Sequence, residues 1–295
     1  MDLQPEHSKV GKSLMSDPLG ATNLRVSVII PSWDTSRSGN LPLLLNDIKE
    51  QTIAVADVAV VERTSPNGHA RNVGVSRTTG EILVFLDDDV RLGNNNILKT
   101  FANLLSANED LGMVGTSQLL PPDSSAFQLR CADQLSRCKS DVVQKLTESD
   151  MVTTQCCAMR RSVLEQVGGF HDKILRGVDP ELRNRVRAAG YRIAVAPEVW
   201  HYHPMPGELA ALLNMAWRDG VASAFARKNY PETVLFNPDG HVGQFEARQS
   251  FPRRVVRNLI GVAKNLCTGR WYGTAYGFVY AIANLRESVR ARKRA

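Results

Sequence analysis

After Gly80 and Glu81 the chain runs Ile82-Leu83-Val84-Phe85-Leu86 and then stops at three carboxylates, Asp87-Asp88-Asp89. The run is short, branched and aromatic, which reads as a strand buried on both faces. Such strands belong to α/β sheets, whose ligands bind beyond the carboxyl ends of the strands. Side chains alternate along an extended chain, so Asp87 and Asp89 are expected on one side. Two carboxylates that close repel unless a proton or a cation sits between them. A hard divalent ion, Mn²⁺ or Mg²⁺, suits the pair and commonly arrives with phosphates. The competing reading is a solvated acidic turn.

The pattern around this strand repeats strand and helix. Val26–Pro31 reads as a first buried strand ended by Pro31. A helix follows over Leu41–Gln51, with Leu44, Leu45 and Ile48 on one stripe. Val58–Val61 is a second strand, ending at Glu62, and Gly68 opens a helix through Gly74. This alternation predicts parallel β-α units with right-handed crossovers. Further on, helices are expected at Ile97–Ser106, over most of Ser124–Leu146, and at Arg161–Val167, Pro180–Ala189 and Glu208–Lys228. Strands are expected at Gly112–Thr116, Thr153–Met159 and Tyr191–Ala196.

Charge separates the chain into two parts. Residues 251–295 hold ten Lys and Arg against Glu287, a net of +9, so residues 1–250 carry −3 of the overall +6. A basic nucleic-acid-binding domain is therefore excluded from the main body. No apolar run approaches the roughly 20 residues that cross a bilayer. The polar N-terminal stretch reads as a flexible tail without a signal-peptide core. Five cysteines without a CxxC pair fit reduced thiols in the cytoplasm.

Four further places carry candidate chemistry. Asp34, just past the first strand, and Glu62, ending the second, would line the same crevice as Asp87 and Asp89, where carboxylates accept hydrogen bonds from a ribose or base. Arg71 precedes the Asp strand on a helix, where a guanidinium can hold an oxygen bidentately or form a surface ion pair. Asp179-Pro180 reads as a helix start capped by Asp179, and an ionised Asp at a cleft edge can accept a proton from a hydroxyl. His201 and His203 form an HxH pair after the last strand, able to complete a metal site. No GxxxxGK[ST] or GxGxxG loop follows any strand, which removes standard nucleotide-loop sites.

In this order the motifs resemble the family 2 inverting glycosyltransferases of the GT-A fold. The matching pieces are Val26–Pro31, Ala70-Arg71-Asn72-x-Gly74, Thr79–Asp89, Arg160–Leu164 with Val167-Gly168-Gly169-Phe170, Asp179-x-Glu181-Leu182-x-x-Arg185, Ala189–Ile193, and Pro197-Glu198-x-x-His201-x-His203. The resemblance covers residues 25–205. It implies a mixed, mainly parallel α/β sheet flanked by helices over residues 25–230, after a flexible tail (1–24) and before a basic, aromatic-rich helical extension (231–295).

The resemblance also implies roles. Asp87 and Asp89 would bind Mn²⁺ or Mg²⁺, with His203 or His201 as a further ligand. Pro31, Asp34, Glu62, Arg71, Asp87 and Asp88 would contact the nucleotide-diphosphate sugar donor. Asp179 would deprotonate the acceptor hydroxyl, on a glycan or a lipid-linked glycan. Three departures stand out: Val178 occupies a position often acidic in the family, which leaves Glu181 as a substitute base, His171 follows Gly169-Phe170 where Asp is usual, and Glu62 replaces a more usual Asp. The basic extension reads either as a packed helix with a solvated tail or as a contact with an anionic membrane surface, which would make the protein cytoplasmic and peripheral. The rival functions are a sugar-nucleotide nucleotidyltransferase and a non-catalytic sugar-nucleotide or membrane-binding protein of the same fold.

Overall fold

A computed structural model describes residues 24–36, 39–233 and 251–292. The expected tail, Leu24 apart, and the last basic residues lie outside the described residues. The strands are β1 (Val26–Ser32), β2 (Asp57–Glu62), β3 (Ile82–Leu86) and β4 (Arg91–Leu92). They continue as β5 (Leu111–Leu119), β6 (Thr147–Glu148), β7 (Cys156–Arg160) and β8 (Arg192–Tyr202). The helices are α1 (Asn40–Lys49), α2 (Asn67–Ser76), α3 (Ile97–Ala107), α4 (Ala126–Gln134) and α5 (Arg161–Gln166). After them come α6 (Val178–Ala188), α7 (Leu209–Asn229), α8 (Phe251–Cys267) and α9 (Trp271–Arg292).

One mixed sheet holds these strands in the order β2-β1-β3-β7-β5-β8-β4, with β6 paired to β8. β1, β2 and β3 are parallel to one another, as the alternation predicts. β7 then enters antiparallel between β3 and β5, so simple β-α repetition ends there. The two-residue strands β4 and β6 were too short to show in any sequence period. Pro31 lies inside β1 rather than ending it. It pairs with Val61 on the β2 side, beyond the last β3 partner at Ile29, so its missing N–H disturbs no ladder there.

Successive residues of the central strands feed two separate cores. Val28, Ile30, Val84 and Leu86 pack with Leu44 of α1 and Phe101 of α3. Ile29, Leu83 and Phe85 pack on the other face with Val163, Leu182 and Val186 from α5 and α6. Each fully buried Leu, Ile or Phe is worth about 1.5–3 kcal/mol of burial, so both faces hold β1 and β3 rigidly where they end at the site. Ser124–Leu146, expected mostly helical, is helical only over α4. Beyond it the backbone bonds to the sheet instead: Ser140 N–H donates to Gln118 O at 2.8 Å and Glu198 N–H to Val143 O at 2.9 Å.

The Arg160-Arg161 pair is structural. Arg160 donates to the carbonyls of Leu105, Asn108, Glu109 and Leu111, gathering the end of α3. Arg161 does the same for Val75, Thr78 and Gly80 after α2. Carbonyls at helix ends lack intrahelical donors, and one guanidinium supplies several.

Candidate active site

The carboxyl ends of β2, β1, β3 and β8 share one edge of the sheet, and β7 starts there. Asp87 N–H donates to Gln155 O at 3.1 Å, which ties the acidic turn to the chain entering β7. β4 pairs antiparallel with the end of β8, Arg91 opposite Tyr202 and Leu92 opposite His201. That register carries Asp89 back to His203, whose Nε2 lies 3.5 Å from Asp89 Oδ1. Asp87, Asp89 and His203 consequently offer one ligand atom each, all within 4.8 Å of one another. Two carboxylates and an imidazole suit a divalent ion such as Mn²⁺.

The electrostatics fit that use. Burial pushes the Asp87 carboxyl up to about 7; Arg71 opposes this, while Asp89, Asp179 and Asp88 add to it. Burial lowers the His203 pKa, with Asp89 pulling the other way, so the ring favours the neutral form that a metal ligand needs. His201 is not in the group of three. It is buried, with Nδ1 2.7 Å from Thr116 Oγ1, and burial lowers its pKa to about 3.

Arg71 is only 2% exposed. Its Nη2 donates to Asp87 Oδ1 at 2.5 Å and its guanidinium lies over Phe170, 5.7 Å from the ring centroid. Arg71 is thus a buried prop beneath Asp87 rather than half of a surface ion pair. Phe170 is itself fixed, edge-on to Phe85 at 4.9 Å and bonded in both directions to Asn72. A Cβ at Gly68 would stand 2.2 Å from the His171 carbonyl oxygen. Gly68→Ala should therefore force α2 off this loop and cost about 1–3 kcal/mol, read as a lower Tm; an unchanged Tm would show the contact to be loose.

Asp88 faces another way. Its Oδ2 accepts from Ser32 Oγ at 2.6 Å, and its carbonyl accepts from Asn40 Nδ2 at 2.9 Å. Asp34 accepts from Ser36 N–H at 3.0 Å and Ser36 Oγ at 2.6 Å, closing the turn after β1 beside the exposed Trp33. Glu62 is exposed at the end of β2, in register with Ser32. Pro31 is buried in β1.

Asp179 does not cap its helix. α6 begins at Val178, with Gly177 at the N-cap in the left-handed conformation (φ 84). Asp179 Oδ1 accepts instead from Thr154, at 3.2 Å from N and 2.5 Å from Oγ1. Among the described residues Oδ2 accepts no hydrogen bond, and the carboxylate is close enough to Asp87 to raise its pKa. Glu181 is bound through both oxygens to Arg185, at 2.6 and 2.7 Å. Val178, the first residue of α6, is buried in the core. His171 Nδ1 accepts from the N–H groups of Lys173 and Ile174 at 3.2 and 3.3 Å, an acceptor role an Asp carboxylate could equally fill. Thr154, Ser32 and Asn40 were missed in the sequence reading; no period or motif marks them.

A mixed sheet with this edge and flanking helices is the GT-A fold. The chain superposes on a mannosyltransferase from Pyrobaculum calidifontis, solved with GDP-Man and Mn²⁺, with a TM-score of 0.52 at 20% identity over 90% of this chain and 88% of that one. A family model described as "Glycosyltransferase like family 2" matches residues 44–222, and the chain belongs to that family. It is similar to the O-antigen chain rhamnosyltransferase RfbN of Salmonella typhimurium, 23% identical over 61% of this chain and 67% of the relative. It is also similar to the glycosyltransferase AglE of Haloferax volcanii, 24% identical over 61% of this chain and 66% of the relative. The matches thus span about two thirds of the length of each relative.

Proposed function

We propose that the chain transfers a sugar from a nucleoside-diphosphate sugar to a hydroxyl of a glycan or lipid-linked glycan, with inversion and with a divalent cation. The observation that carries this reading is the group Asp87, Asp89 and His203, within 4.8 Å of one another, with Asp179 near Asp87 across the same edge. The Mn²⁺ and GDP-Man held by the similar mannosyltransferase support the donor class, and the O-antigen rhamnosyltransferase supports a glycan acceptor.

Asp87, Asp89 and His203 would hold Mn²⁺ or Mg²⁺, and the bound cation would stabilise negative charge on the departing diphosphate. Arg71 keeps Asp87 in place from below, and Ser32 and Asn40 fix Asp88. Asp34 and Glu62, at the ends of β1 and β2, would receive the nucleoside. Thr154 occupies Asp179 Oδ1 and leaves Oδ2 to the acceptor. That oxygen would take the hydroxyl proton as the acceptor oxygen bonds to the anomeric carbon and the nucleoside diphosphate leaves with the electron pair of the broken C–O bond. One displacement from the opposite face inverts the configuration, and no sugar–enzyme bond forms.

No described helix is long and apolar enough to cross a membrane. We place the protein peripherally on the cytoplasmic face of a membrane carrying the lipid-linked acceptor.

Thermal-shift measurements with Mn²⁺ and UDP-, GDP- or dTDP-sugars test the donor, followed by a turnover assay on any sugar nucleotide that stabilises the fold. A binder without catalysis would show the shift and no turnover. The cation effect should also depend on pH. The folded Asp87 carboxyl, raised from 3.8 to about 7, keeps a proton that the unfolded chain has released. The cation-free fold therefore loses stability as pH rises from 3.8 through about 7. A cation binds the ionised carboxylate, so the Tm gain from Mn²⁺ should grow between about pH 6 and about pH 8. A gain independent of pH would remove Asp87 from the ligand set.

A further inference from the structure

α8 and α9 each leave large apolar side chains in solvent. On α8, Val256, Ile260, Val262 and Leu266 are 56%, 62%, 41% and 47% exposed. On α9, Trp271, Phe278 and Leu285 recur every seven residues and are 64%, 65% and 67% exposed. The other side of α9 is already used against α7: a Cβ at Gly220 would meet the Tyr280 carbonyl at 2.4 Å, and Asn284 Nδ2 donates to Gly220 O at 3.0 Å.

The sequence of α8 divides sharply around its axis. At 3.6 residues per turn, positions Val256, Leu259, Ile260, Val262, Ala263 and Leu266 fall within roughly half the circumference. Arg253, Arg254, Arg257 and Lys264 fall on the other half. No described helix is fit to span a bilayer, but a helix of this kind, about 25 Å long, is suited to lie in an interface with its basic residues toward headgroups.

We propose that α8 lies in the plane of an anionic lipid surface, its apolar half inserted, with Trp271 and the outer stripe of α9 extending the contact. Charge selects this occupant over a second copy of the chain. Residues 251–295 carry a net +9, so two such segments repel one another, whereas anionic headgroups attract each of them. The surface deepens the lipid-linked acceptor reading and rests on it only for why the enzyme would sit there; vesicle binding is measured without donor or acceptor.

Co-sedimentation of the full chain with phosphatidylcholine vesicles, with and without phosphatidylglycerol, tests the proposal. Partition onto the anionic vesicles should be at least about tenfold stronger and should weaken as salt is raised. The double variant Val256→Glu, Ile260→Glu should lose about tenfold or more of that binding, while its Tm stays at the wild-type value. Trp271 fluorescence should shift to the blue on anionic vesicles and be lost with Trp271→Phe. Equal pelleting of wild type and double variant, or indifference to anionic lipid, would overturn the proposal. So would a dimer in sedimentation velocity without vesicles that the double variant abolishes, because the apolar face would then belong to a second copy. Failure on vesicles with donor turnover intact would sink this surface alone; vesicle binding without any turnover would sink the transferase reading alone.

Discussion

Asp179→Asn is expected to lower sugar transfer about a thousandfold, within the usual range for loss of a general base, and to leave donor binding unchanged. The amide is nearly isosteric with the carboxylate, and its oxygen can keep the bonds from Thr154 N–H and Oγ1. What it loses is the capacity to accept the acceptor proton at the second position. The helix start is unaffected, because Gly177 and not Asp179 occupies the N-cap. The decisive comparison sets turnover of the variant beside its thermal shift with Mn²⁺ and donor. Transfer at more than about a tenth of the wild-type rate would remove Asp179 as the base. Glu181→Gln offers the contrast: Glu181 is held bidentately by Arg185, so its change should appear in Tm before it appears in turnover.

Arg71→Met should be the most destabilising change in the site. The guanidinium is buried and bonded to Asp87 at 2.5 Å. Its removal leaves Asp87 near Asp88, Asp89 and Asp179 with no cation beneath it. Breaking a buried pair from one side costs about 3–5 kcal/mol, or a Tm lower by roughly 6–15 °C for a domain of this size. The loss should be greatest without divalent ions at neutral pH and should shrink when Mn²⁺ is added, since a bound cation would supply part of the missing charge. Arg71→Lys would keep the charge but not the planar contact over Phe170, and should fall between the two. A Tm within about 1 °C of wild type in cation-free buffer would show that the pair does not hold Asp87, since even a modest pair would move it further.

The central elements were legible because their periods are strong. Ile82–Leu86 is apolar at every position, and it is a strand buried on both faces. Of the stripe Leu44, Leu45 and Ile48 expected on α1, Leu44 and Ile48 are buried and Leu45 packs partly buried against the same core. The segment after α4 misled because its apolar residues pack under the sheet edge without the helix they could have formed; Leu146 joins one core and Val143 the other. Asp179-Pro180 misled in a similar way. An Asp before Pro is good cap chemistry, but Gly177 takes the left-handed position one residue ahead of the helix and frees the carboxylate for Thr154.

Sequence alone determined the strand that ends in Asp87-Asp88-Asp89, the helices around it and the division between a mildly acidic body and a basic end. These follow from local period and composition, which each segment carries by itself. Only the tertiary structure decided which acids act together. The β4–β8 register brings Asp89 to His203, Ser32 draws Asp88 away from them, and the buried Arg71 takes one oxygen of Asp87. Those choices depend on contacts between residues far apart in the chain, where a hydrogen bond of 2.6 Å or a register of one residue sends neighbouring carboxylates to different tasks.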